Sequence, residues 1–387
     1  RRCGVVMGGA LGAFVAAAAM ATGSAAPAKA DFEELLDPII QPLLTSVTDA
    51  LSGFDPAAAT DLTSWTDSML SSLNSIDLAV PSAAEPATAV AAAASPASDP
   101  TSGTYDIPIT VQEGTEPTVQ ASIDGSSPQT LLVDTGSSGL VIPWDDLGFL
   151  QTLELGLPTG FGESGYSGGV DYIYLTYDTS VDYGGGAGVL DTTGTPVDVE
   201  ILSWPTSASA PANFDAFLAD NDSTGILGVA DSSDAGGIGP TESPFQADGY
   251  GGVLVDVPQS ELVVAPSNPG TAFDTLSGAP IPTSNLYETV SNGGVVSGSS
   301  SVSDDVDSGG VYGTIPSSLA PDVQPGSVIT VYDSQGGTEL YSYTVQSGEL
   351  PLSTSGTSID SGYLPFAEEP IYIDYGNDTL SFDEAPV

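Results

Sequence analysis

Positive charge is almost missing from this chain. Its 387 residues hold 51 acidic side chains, three basic ones and no histidine. The basic residues are Arg1, Arg2 and Lys29, so nothing beyond Lys29 is Lys, Arg or His. Phosphate backbones are bound through cationic side chains, which argues against a nucleic-acid partner and against anionic membrane surfaces. Without histidine there is no Ser-His-Asp triad and no imidazole metal site. Without lysine in the body there is no Walker loop, Schiff base or Ser-Lys dyad. Cysteine is the other gap. Cys3 is the sole thiol, so the body has neither a thiol nucleophile nor a disulfide. Enzyme chemistry, if present, must come from carboxylates, hydroxyls, backbone amides or a hard cation held by oxygen.

What is present falls into four stretches. Residues 1–30 read as an export signal. A basic Arg1-Arg2 precedes an apolar run from Gly4 to Ala21, and Ala28-Lys29-Ala30 offers a small-residue cleavage site before Asp31. The arginine pair hints at twin-arginine export. No later segment is apolar and long enough to span a bilayer. Residues 31–78 read as helical: Leu36, Ile40, Leu43, Leu44, Val47 and Leu51 share one face, and Leu62, Trp65, Met69, Leu70 and Leu73 a second, with Gly53 and Pro56 between. That pair is expected to pack on the main domain or to meet a partner. Residues 79–103 are an Ala/Pro/Ser linker. From Thr104 the pattern turns to β. Short apolar runs (Leu131–Val133, Ile173–Leu175, Ile226–Val229, Val253–Val257, Leu262–Val264, Val328–Val331, Ile371–Ile373) alternate with Gly, Pro, Ser, Asp and Thr clusters.

One stretch carries chemistry. Leu131-Leu132-Val133-Asp134-Thr135-Gly136-Ser137-Ser138-Gly139-Leu140-Val141-Ile142-Pro143 runs an apolar strand into a tight acidic turn. It has an echo in Val306-Asp307-Ser308-Gly309-Gly310-Val311-Tyr312-Gly313-Thr314-Ile315-Pro316. After each Asp come a hydroxyl residue, then Gly, with Ile-Pro eight and nine positions on. Such a repeat points to two related lobes, each delivering one carboxylate to a shared cleft. Two carboxylates held that close share one proton. One is then a base for a water between them, and the other an acid for a peptide carbonyl and the leaving amine. Thr135 and Ser308 would lock the two loops, with Ser137 as a further supporting hydroxyl. Ile359-Asp360-Ser361-Gly362 is a rival for the second position, but it lacks the Ile-Pro and leaves a short stretch of chain behind it.

These motifs resemble the pepsin-like aspartic proteases, over roughly residues 104–387. The first matches their Asp-Thr-Gly-Ser-Ser-x-Leu-x-Ile/Val-Pro pattern. Thr224-Gly225-Ile226-Leu227-Gly228-Val229-Ala230 looks like the apolar-apolar-Gly segment that threads beneath the first Asp loop. Tyr166-Ser167-Gly168-Gly169, followed by Tyr177-Asp178-Thr179, resembles the hairpin flap, with Tyr166 as flap tyrosine and Tyr172 as its alternative. The chain is more closely similar to the mycobacterial PE-family aspartic proteases. They share the Asp-Ser-Gly-Gly-Val-Tyr-Gly-Thr-Ile-Pro motif and a segment like Pro365-Phe366-Ala367-Glu368-Glu369-Pro370-Ile371-Tyr372-Ile373. Those relatives are associated with processing exported envelope proteins. Where those relatives carry a PE helical domain, an export signal is expected here. Three positions depart from the pepsin pattern: Val141 replaces a frequent Trp, Gly310 a bracing Ser or Thr, and Asp305 an apolar residue.

The resemblance implies an all-β, bilobal pepsin-like fold, with an N-lobe of about 104–245 and a C-lobe of about 246–387. It implies an exported aspartic endopeptidase with dyad Asp134 and Asp307, acting on protein or peptide substrates, secreted or at the cell envelope, with no cofactor and no metal. The residues by themselves leave room for a carboxylate-based glycoside hydrolase, for a non-catalytic envelope binding protein on the same fold, and for an oxygen-ligand calcium protein, although no EF-hand loop is present. The crowded acids should also titrate above their unfolded values, making the fold more stable in mild acid than at neutral pH.

Overall fold

A computed structural model describes residues 102–185, 188–231, 242–281 and 285–385. The expectations for residues 1–30 and 31–78, and for nearly all of 79–103, lie outside the described residues. Among the described residues no helix is long and apolar enough to cross a bilayer.

In chain order the strands of the first half are β1 (Tyr105–Pro108), β2 (Thr110–Gln112), β3 (Glu116–Ile123), β4 (Gln129–Asp134), β5 (Ser138–Pro143), β6 (Gly160–Tyr166), β7 (Val170–Tyr183), β8 (Leu190–Pro205) and β9 (Gly225–Val229). The second half continues with β10 (Gly252–Asp256), β11 (Glu261–Ala265), β12 (Ala272–Ser277), β13 (Leu286–Asn292), β14 (Val295–Asp305), β15 (Thr314–Pro316), β16 (Val328–Tyr332), β17 (Glu339–Thr344), β18 (Leu352–Thr354), β19 (Ser358–Asp360), β20 (Ile371–Asp374) and β21 (Thr379–Asp383).

Three main sheets follow. β2-β3-β4-β9-β5-β8-β7-β6 form the sheet of the first half, and β17-β16-β13-β14-β19 that of the second, with β15 and β18 paired beside it. The third sheet, β1-β11-β10-β20-β21-β12, draws on both halves. A division into two lobes at 245/246 does not capture it, because β1 leaves the first half to pair antiparallel with β11.

The short apolar runs form the strands with the deepest burial. Gly225–Val229 and Gly252–Asp256 are buried along their whole length, as expected of strands covered on both faces. β7 instead alternates over much of its length and has a wetter outer face. One boundary differs from the sequence reading. Val257 is not the end of β10; it opens a 3-10 turn with Pro258, whose ring cannot donate to a ladder. The Asp256 carboxyl caps that turn by accepting from the Gln259 N–H at 3.1 Å. The main apolar core joins Val133, Leu140 and Leu227 of the first half to Val253, Val264, Ile371 and Phe382 of the shared sheet.

Candidate active site

Asp134 ends β4, whose Leu131, Leu132 and Val133 are all buried. The chain turns through Thr135–Ser137 into β5, and β9 runs beneath. Leu131–Asp134 pair in parallel with Gly225–Gly228, while Ser138–Val141 run antiparallel to Ile226–Val229. Gly228 is needed for this crossing, since a β-carbon there would lie 2.6 Å from the Ser138 carbonyl carbon. The second half repeats the arrangement. β14 leads into Val306-Asp307 and pairs in parallel with β19, Asp305 opposite Asp360. Counting back two residues from each loop aspartate, Asp305 and Asp360 occupy the register of Leu132 and Ile226.

The two loops meet through four hydrogen bonds. Thr135 Oγ1 donates to the Val306 carbonyl at 2.6 Å and accepts from the Ser308 N–H at 2.8 Å. Ser308 Oγ donates to the Val133 carbonyl at 2.6 Å and accepts from the Thr135 N–H at 3.1 Å. Both hydroxyl residues are fully buried, so each bond lies out of water. The lock brings the carboxyls together. Asp134 Oδ1 accepts from the Gly136 N–H at 2.9 Å, and Asp307 Oδ1 from the Gly309 N–H at 2.8 Å. A β-carbon on Gly136 would meet the Asp307 carboxyl carbon at 2.5 Å, and one on Gly309 would meet Asp134 Oδ1 at 2.9 Å. Each loop therefore needs glycine where the other's aspartate packs against it.

The surroundings of the two aspartates differ. Ser137 Oγ donates to Asp134 Oδ2 at 2.5 Å. The matching position beside Asp307 is Gly310, and the Asp360 carboxyl fills the space there. Burial, then the charges of Asp134, Asp360 and Asp305, push Asp307 well above the ordinary carboxyl range. Asp360 is pushed up to about 6, chiefly by burial and with help from Asp134, against the N–H bond it accepts from Gly362. Asp307 N–H is itself held by Ser361 Oγ at 3.0 Å. The rival Asp-Ser-Gly of the sequence reading is thus the second half's counterpart of Ile226-Leu227-Gly228, and it lies against the second loop.

Tyr166 lies at the tip of the β6–β7 hairpin, where the Gly169 N–H closes the turn on the Tyr166 carbonyl at 2.9 Å. Its ring stacks on Tyr172, Phe214 and Phe217, with centroids 5.6, 5.7 and 5.4 Å away. Its hydroxyl reaches the Ser137 side chain, which ties the hairpin tip to the Asp134 loop. Tyr172, the alternative, is fully buried opposite Ser164, two positions back from the tip. Val141 lies in the same apolar cluster as these stacked rings. The sequence reading missed Phe214 and Phe217. They sit three apart on the short helix Phe214–Ala219, whose start is marked by Asn213 accepting from the Ala216 N–H at 2.9 Å. Among the described residues no three acidic side chains are placed to hold a metal together.

Two carboxylates on locked, strand-borne loops, over a shared sheet and under an aromatic-tipped hairpin, define an aspartyl peptidase-like domain of pepsin-like architecture. Residues 105–382 match the family described as the PE-PGRS C-terminal aspartyl peptidase-like domain, and the chain belongs to that family. It is 38% identical over 296 residues to PE cleavage protein A of Mycobacterium tuberculosis, covering 72% of this chain and 51% of that protein. It is 40% identical over 319 residues to PE cleavage protein A of Mycobacterium marinum, covering 72% of this chain and 52% of that protein. The chain thus spans about half the length of the curated relatives it matches. The crystal structure of the aspartic proteinase from Irpex lacteus superposes with a TM-score of 0.50 at 14% identity, covering 73% of this chain and 98% of that one, a likeness of fold.

Proposed function

We propose that this protein is an aspartic endopeptidase that uses Asp134 and Asp307 on one shared water. The observation that carries this reading is the reciprocal Thr135–Ser308 lock, which sets two carboxyls against each other in a region without a cation. Asp307, which burial and the neighbouring acids push well above the ordinary carboxyl range, holds the shared proton. Asp134 takes a proton from the water as its oxygen attacks the peptide carbonyl carbon, and Asp307 gives its proton to the carbonyl oxygen. The tetrahedral diol then collapses. Asp134 returns its proton to the amide nitrogen, the C–N bond breaks, and Asp307 recovers a proton from the diol hydroxyl. Tyr166 and its aromatic stack close over the peptide and exclude water. The chemistry consumes one water and calls for no cofactor.

The natural substrate on this reading is a PE-type protein, by similarity to proteins named PE cleavage protein A. The signal-like residues 1–30 support export, and so a site of action outside the cell or in its envelope. Residues 31–78 would pack on the domain or meet a partner. The test is cleavage of a mixed peptide library at pH 3–7 by the chain lacking residues 1–30, beside Asp134→Ala and Asp307→Ala. Cleavage by the parent and by neither variant is expected. Activity that survives Asp307→Ala overturns the dyad, and inhibition by a statine-type peptide separates this chemistry from carboxylate-based glycoside hydrolysis.

A further inference from the structure

The carboxyl of Asp360 stands where the first half has an apolar side chain. In the first half the strands flanking the loop pair Leu132 with Ile226. In the second the same register pairs Asp305 with Asp360. This is a double replacement at one pair of facing positions, and it goes with a third change. Where Ser137 braces Asp134 with its hydroxyl, the second loop has Gly310. A β-carbon on Gly310 would fall 2.8 Å from the Asp360 carboxyl carbon, so any larger residue there would collide with this carboxyl. The absent hydroxyl and the extra carboxyl are two sides of one substitution.

We infer that Asp360 is a positioning residue of the dyad: with Asp305 beside it, it backs Asp307 in place of the missing hydroxyl and keeps the shared proton on Asp307 as pH rises. The inference rests on the proposed dyad. The groups facing this corner are all acids or phenols: Asp134 from β4, Asp304 and Asp305 from β14, Tyr343 from β17, and Glu288 of β13 behind Asp304 and Tyr343. No Lys, Arg or His exists beyond Lys29 to offset them. Deprotonating Asp307 therefore places a negative charge among others in a partly dry site. Asp360 carries its own charge above a pKa of about 6, so its opposition grows where Asp307 would otherwise lose its proton. Asp360 keeps its own place meanwhile, its N–H donating to Thr314 Oγ1 of β15 at 2.9 Å and its Oδ1 accepting from the N–H of Gly362, two residues on, at 2.8 Å. Its effect on the reaction is to extend the singly protonated dyad toward neutral pH.

The experiment is the pH profile of kcat/KM from pH 3 to 8 for the parent, for Asp360→Asn, and for the double variant Asp305→Leu with Asp360→Ile, which copies the first half. Melting curves check that each variant folds. The expected result is an alkaline limb moved about one pH unit toward acid in Asp360→Asn, and as far or further in the double variant, with the acid limb in place. A uniform fall in rate with both limbs unmoved marks a merely structural residue and overturns the inference. A second reading does not depend on turnover. With 13C-labelled aspartate carboxyls, the resonance lost in Asp307→Asn is followed by NMR in the parent and in Asp360→Asn. Its midpoint is expected to fall in the variant, and an unchanged midpoint overturns the inference whether or not peptides are cut. A parent that cleaves nothing while this midpoint does move overturns the peptidase reading alone.

Discussion

The Thr135 and Ser308 hydroxyls are exchanged across the two halves of the molecule, each donating to a carbonyl of the opposite strand and each accepting the other's backbone N–H. They lie 173 residues apart in the chain, and both are fully buried.

Removing one of these hydroxyls leaves a buried N–H and a buried carbonyl without a partner. Thr135→Val and Ser308→Ala should each cost about 1–3 kcal/mol of stability. Because the two act as one unit, the double variant should cost clearly less than the sum. Urea unfolding of the three variants measures this, and strict additivity would show that the lock is two independent pairs.

On the proposed function, the loop aspartates serve chemistry at a cost to stability. Asp307→Asn should lower kcat/KM by at least about a thousandfold. Its melting midpoint at pH 7.5 should stay level or rise, since a buried acid surrounded by acids loses its ionisation. Calorimetry beside the peptide assay checks both halves of this statement.

Tyr166 combines a stacking ring with a hydroxyl at the dyad loop, and two substitutions separate them. Tyr166→Phe keeps the stack on Phe214 and Phe217 and should cost less than about tenfold in kcat/KM. Tyr166→Ala removes the ring as well and should cost about a hundredfold, mostly in substrate closure. Equal losses in the two variants would assign the whole effect to the hydroxyl.

Several acids are buried without a cation, and their direction of shift sets the pH dependence of stability. Burial pushes Glu288 from 4.5 to about 8, and Asp198 and Glu200 to about 7, the last two against hydroxyl bonds that pull them down. Below about pH 4 these groups are protonated in both states and impose no penalty. As pH rises, the unfolded chain releases its protons first, so stability is lost from there up through the folded values. The loss for Glu288 alone approaches about 4 kcal/mol by pH 8. The melting midpoint should therefore be higher at pH 5 than at pH 8.5 by roughly 5 °C or more, and Glu288→Gln should narrow that gap. A midpoint that rises with pH contradicts this account.

The sequence made the first loop legible because its information is local: Asp134, Thr135 and Gly136 sit within one turn and the strand before them is apolar. The second loop was legible as its echo. Where contact depends on pairing between distant strands, the reading fell short. Nothing near Asp360 says that it will lie in register with Asp305, so the sequence offers it as a rival to Asp307 rather than as a neighbour. Tyr166 and Tyr172 were indistinguishable by pattern, because the outcome turns on where Gly168-Gly169 bends the hairpin. The shared sheet was invisible for the same reason: β1 and β11 are joined only in space.

That sheet also sets an order of events in synthesis. β10 finds its second neighbour in β20, and the Val253–Ile373 pairing closes over more than a hundred residues of intervening chain. A ribosome delivers β1, β4 and Asp134 early, and β20 and β21 near the end of the described chain. Pairings that span so much sequence form late and slowly. The nascent first half can assemble its own strands, but Asp307 follows only after β14, and the shared sheet beneath both loops is complete only with β20 and β21. On the proposed function, the cutting site thus comes into being only once most of the strands that carry it have been made, which limits self-digestion during synthesis.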